Sequence, residues 1–70
     1  MSYAAVKAPA VLKVLRSQAE HRTVTELAGL SGCSTTTVRY VLHGLHAAGE
    51  LDIDLGTWPP GYKLAQELQP

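Results

Sequence analysis

Two apolar patterns of helical period meet at Ser31-Gly32-Cys33-Ser34, with room between them for nothing longer than a tight turn. Upstream, Val24, Leu27, Ala28 and Leu30 supply the apolar surface of one helix. Downstream, Val38, Val41, Leu42 and Leu45 recur at i, i+3, i+4 and i+7 and form the stripe of another. Ser31-Gly32 is a breaker pair, and Gly32 can take the positive φ that a sharp reversal needs. Ser34 then caps the second helix, and its first exposed side chains are short, polar and uncharged: Ser34, Thr35, Thr36 and Thr37.

The flanking segments are legible by the same rules. Pro9 suits the first turn of a helix and disfavours helical geometry at Ala8, so residues 1–8 read as an arm or a frayed extra turn. From Pro9 onward Val11, Leu12, Leu15 and Ala19 mark one buried face, with Lys13, Arg16 and Ser17 on the wetter side. Thr23-Val24-Thr25-Glu26 has the spacing of a capping box and starts the second helix. Gly49 is a natural terminator for the third.

Beyond Gly49 the period changes from 3.6 to 2. Leu51, Ile53 and Leu55 alternate with Asp52 and Asp54, as in a strand with one face buried. Residues 56–61 are turn-rich, and Tyr62 and Leu64 on a second short strand can face the same core, which makes a hairpin. Residues 66–70 read as a tail. The expected fold class is therefore mostly α with a small β-hairpin, and the unit spans residues 9–65.

Seventy residues with 46% hydrophobic and 17% charged content describe one small globular domain. No apolar run approaches the roughly 18 residues of a membrane span, and no signal-peptide h-region is visible, so a soluble, cytoplasmic protein is expected. A single cysteine, Cys33, agrees with a reducing compartment. The net charge is zero but polarised. Through Gly49 five basic residues oppose Glu20 and Glu26, net +3, whereas after it Lys63 opposes Glu50, Asp52, Asp54 and Glu67, net −3. An anionic partner is thus expected on the first part, with a field screened beyond roughly 8 Å in physiological salt.

Helix, helix, tight turn, helix, hairpin resembles the winged helix-turn-helix superfamily, and Leu27-Ala28, Gly32-Cys33-Ser34, Thr37-Val38, Leu45 and Gly49 look like its motif. The resemblance covers about residues 9–65. It implies that Ala28 lets the two motif helices cross closely, that Gly32 makes the turn, that Cys33 plugs beneath it and that Ser34 caps the recognition helix, Ser34–Ala48. It further implies that the start of this helix enters the major groove of double-stranded DNA. The implied DNA-binding residues are Ser34, Thr35, Thr36 and Thr37 at the helix start, Arg39 toward a guanine or a phosphate, and Tyr40 and His43 toward the backbone.

Each residue also has a purely structural reading. Ser34 is a cap first, Thr37 can pack between helices, Arg39 can be a solvated charge, and Tyr40 can support the hairpin or a partner subunit. His43 and His46 lie three apart on a helix but lack a third ligand, so no metal and no cofactor are expected. No triad, phosphate loop or acid pair suggests an enzyme.

Two features depart from the superfamily pattern. The wing, Thr57-Trp58-Pro59-Pro60-Gly61, carries no basic residue, and Gly44 sits inside the third helix, where another helix or a second subunit could press. Trp58 is expected to pack back onto the core, with a protein contact as the alternative. The expected function is a sequence-specific, DNA-binding transcriptional regulator without a sensor domain, acting as a homodimer or in a cooperative assembly. The alternative is a winged-helix protein-interaction adaptor that uses the acidic hairpin and Trp58.

Overall fold

A computed structural model describes residues 3–65, with side chains from Pro9 onward. Three helices, α1 (Tyr3–Ser17), α2 (Val24–Ser31) and α3 (Thr35–Ala47), precede an antiparallel hairpin of β1 (Leu51–Asp54) and β2 (Gly61–Leu64). The architecture is that of a winged helix-turn-helix.

α1 begins earlier than the Pro9 start expected from sequence, because helical backbone runs back to Tyr3 with Pro9 inside it. Proline removes one N–H from the ladder, but the segment ahead of it contains Ala4 and Ala5, and alanine is the strongest helix former. Residues 3–8 are therefore helix rather than an arm. The tail expected over residues 66–70 lies outside the described residues. Ala19 falls beyond the end of α1 and is exposed.

α2 opens on the expected capping box: Thr23 Oγ1 accepts from the Glu26 amide at 3.2 Å, and Glu26 Oε1 accepts from the Thr23 amide at 2.9 Å. It closes at Gly32, with φ +72°, where the Gly32 and Cys33 amides both donate to Ala28 O, at 3.0 and 3.2 Å. α3 ends in the same manner. Gly49 adopts φ +74°, its amide donates to His46 O, and the Glu50 amide donates to Leu45 O at 2.9 Å, the paired bonds of a Schellman motif.

Val11 and Leu15 of α1, Leu27 of α2, Cys33 in the turn, and Val38, Val41 and Leu42 of α3 form one core. α1 packs against both other helices. Leu51, Tyr62 and Leu64 close the open side from the hairpin, in a register that sets Leu51 opposite Leu64 and Ile53 opposite Tyr62. The loop between α1 and α2 joins the sheet through a one-residue bridge. Arg22 N–H donates to Tyr62 O at 2.9 Å, and Tyr62 N–H donates to Arg22 O at 2.7 Å. β2 is thus paired on both edges, which ties the wing to the helical part.

Three apolar residues expected in the core are elsewhere. Leu30 is 55% exposed. At 100° per residue it lies about 110° round the helix from the centre of Val24, Leu27 and Ala28, too far to reach the stripe. Leu55 is exposed because β1 ends one residue earlier: Asp54 Oδ1 accepts from the Gly56 amide at 2.9 Å and bends the chain out of the strand. Trp58, expected to pack inward, is 92% exposed. The proline-flanked loop carries it off the sheet instead.

Candidate functional site

The exposed side of α3 is the candidate surface. Its starting point is set by the turn, since the αL conformation of Gly32 ends α2 and lets Ser34 begin α3 within two residues. Ser34 Oγ accepts from the Thr37 amide at 3.2 Å and donates to Thr37 Oγ1 at 3.1 Å. The cap uses the hydroxyl proton and one lone pair, leaving one acceptor site free on a residue that remains at the surface.

Thr37 does not belong to this surface. It is 3% exposed, and its hydroxyl is satisfied by Ser34, so it packs between helices and offers nothing to an outside partner. Its position four residues before Val41 and one before Val38 puts it on the apolar stripe, a signal already present in the spacing. Thr35 is half-buried, and Thr36, Arg39, Tyr40 and His43 are exposed. Thr36 and His43, two helical turns apart, run along the centre of the outer face, with Tyr40 on one flank and Arg39 on the other. No acidic residue lies on α3.

The wing sits beside this helix. Arg39, Trp58, Pro59 and Pro60 line a common recess with Thr23 and Thr25 at the start of α2. Arg39 also borders a second recess, with His43, His46 and the β1 residues Leu51 and Ile53. Among the described residues Arg22 and Glu26 form an ion pair at 3.8 Å and His21 Nε2 lies 3.6 Å from Asp52 Oδ2, and Arg39 takes part in neither contact. Its guanidinium is available to an anion. The resemblance read from sequence implied Arg39 and His43 as contacts but gave neither the adjacency of Arg39 to the wing nor the part of His46 in the second recess, since both depend on how the hairpin folds back.

Gly44 lies on the outer side of α3, and a Cβ built there meets no heavy atom within 4 Å. Packing within the chain therefore does not require the glycine. Gly44→Ala should raise stability by about 1 kcal/mol, seen as a rise in Tm of roughly 4–8 °C for a domain of this size. A Tm unchanged or lowered would show that the helix is strained at this position.

No group of three His, Cys, Asp or Glu residues is close enough to hold a metal among the described residues, and no described helix is long and apolar enough to cross a membrane. No curated protein matches the chain in sequence. A family model, that of the IclR helix-turn-helix domain, matches residues 4–52, covering α1 from its second residue, α2, the turn at Gly32, α3 and the beginning of β1. With the cap, the turn and the paired hairpin in their places, the chain belongs to the IclR helix-turn-helix domain family of DNA-binding transcription regulators.

Proposed function

We propose that this domain binds double-stranded DNA with sequence preference, with α3 as the recognition helix in the major groove. One observation carries the reading: an outer helix face free of carboxylates, delivered to the surface by the Gly32 turn, with Thr36, Arg39, Tyr40 and His43 exposed along it. A threonine can meet a thymine methyl or a base edge, and an arginine can pair bidentately with guanine or hold a phosphate. Tyr40 and His43 would set the register on the backbone, joined at the helix start by Ser34 and Thr35.

Few cations flank this face, so one copy would release few counterions. Nonspecific binding should be weak, about 10⁻⁴ M or poorer at physiological salt. A homodimer on a two-fold operator, or cooperative binding at adjacent sites, would multiply that contact. The exposed Trp58 and Leu55 on a wing loop without basic residues favour a second reading, a docking point for a protein partner.

Selection from random genomic fragments at low salt tests both. A motif should be enriched, and Arg39→Ala should weaken binding to it by about 1–3 kcal/mol, whereas Trp58→Ala should leave DNA affinity intact. If no motif is enriched, or if Arg39→Ala binds as tightly as the unaltered protein, the DNA reading fails. A stoichiometric protein partner lost with Trp58→Ala would support the second reading.

A further inference from the structure

The recess between α3 and the hairpin has an apolar floor that recognition of DNA does not account for. It is an open groove of about 270 Å³. Its floor is apolar: Leu42, which is buried, and the half-buried Val24, Leu51, Ile53 and Tyr62. Its rim is a row of nitrogen donors on α3, Arg39, His43 and His46, at i, i+4 and i+7. No acidic side chain lines it, nor does one line the adjoining recess of about 320 Å³ on the wing side of Arg39. Val24, Arg39 and Tyr62 border both, so the two adjoin as one trough with Arg39 on their shared border.

We propose that this trough is a binding site for a small amphipathic organic anion, a ring or short chain seated on the Leu42, Leu51 and Ile53 floor with its carboxylate held by Arg39. Charge complementarity selects the occupant. A guanidinium with no carboxylate partner in the described structure presents a planar fork that matches a carboxylate bidentately, and the imidazole N–H of His43 or His46 can supply a further donor. The recess lies just below the roughly 300 Å³ at which drug-sized pockets begin, which suits a molecule of one or two rings. A neutral apolar ligand would leave the guanidinium unused, and an inorganic anion would leave the floor wet.

Binding of the anion does not depend on the DNA reading, but its consequence does. If Arg39 and His43 also contact DNA, the anion and the duplex compete for the same side chains and each must weaken the other by the same factor. The trough would then be an effector site within the DNA-binding module itself.

The test is titration of the purified protein with 2-naphthoate, and with the uncharged 2-naphthalenemethanol, read by amide chemical shifts. Naphthoate should saturate a single site, with the largest shifts between Arg39 and His46 and between Leu51 and Ile53. Arg39→Ala and the uncharged analogue should each bind at least tenfold more weakly. Leu30→Ala, on the exposed side of α2, should bind as the unaltered protein does. The proposal is overturned by shifts that do not saturate, by shifts that map elsewhere, or by equal binding of the alcohol or of folded Arg39→Ala. Because these titrations contain no DNA, their failure is distinct from failure of the DNA reading, which rests on the fragment selection. Naphthoate that binds as described but leaves the affinity for a selected operator unchanged would remove the effector role alone.

Discussion

Leu27→Ala should destabilise the domain by about 2–5 kcal/mol, the cost of deleting buried methylenes and leaving a cavity. Leu27 is fully buried, 0% exposed, in the single core that α1, α2, α3 and the Cys33 turn share. A domain of 70 residues has a total stability of roughly 3.5–10 kcal/mol, so the loss is a large share of what holds it folded. Thermal melting should move down by roughly 10–30 °C, and in the least stable case the variant will be substantially unfolded at 25 °C. Leu30→Ala is the internal control. It removes the same atoms from the same helix, but from a side chain that is 55% exposed, and should change stability by less than about 0.5 kcal/mol. Equal effects of the two substitutions would contradict the packing of α2.

Gly61→Ala should be the most damaging single methyl added to this fold. Gly61 is buried where β2 passes the loop between α1 and α2, and a Cβ there would lie 2.7 Å from His21 Cβ and 3.4 Å from the His21 carbonyl carbon. Neither atom is the free end of a side chain, so the loop or the strand must shift. The cost should be about 1–3 kcal/mol, as for other overpacked positions. The shift would fall on the pair of hydrogen bonds between Arg22 and Tyr62 that attach the wing to the helical part. Hydrogen exchange at those two amides should therefore accelerate more than exchange at the centre of α3. His21→Gly in the same chain removes the atom the new methyl strikes, so the double variant should recover much of the loss. A double-mutant cycle in which the two substitutions simply add would show that the close approach is not the cause.

The two substitutions probe different levels of the structure, and the same division runs through what could be read in advance. The capping box at Thr23, the αL glycines at 32 and 49, the Ser34 cap and the change of period after Gly49 all emerged at their expected positions. Each is decided by bonds between residues within about five of one another, and such interactions are written directly into the spacing of the chain. The order of elements, and hence the resemblance to a winged helix-turn-helix, follows from them. So does the emergence of α3 at the surface immediately after the turn.

The candidate site was legible only in outline. Ser34, Thr36, Arg39, Tyr40 and His43 stand at the surface, but Thr37 shares the stripe of Val38 and Val41 and is lost to the interior. Helical period assigned the outer face well wherever a residue lay near its centre and poorly at its edge, where a neighbouring helix decides. Pro9 was read as a beginning because its missing N–H favours the first turn, yet the alanine-containing segment before it is helical despite the lost bond.

Sequence by itself determined the local geometry: where each helix is capped, where the chain reverses, and which side of α3 carries hydroxyls and an arginine rather than carboxylates. Tertiary structure alone decided what those side chains face. The Arg22–Tyr62 bridge folds the wing against the helices, Asp54 turns Leu55 outward, and the wing loop exposes Trp58 beside Arg39. The trough between α3 and β1 exists only once these non-local contacts have formed, because it is bounded by residues from four elements whose separation in sequence carries no information about their distance in space.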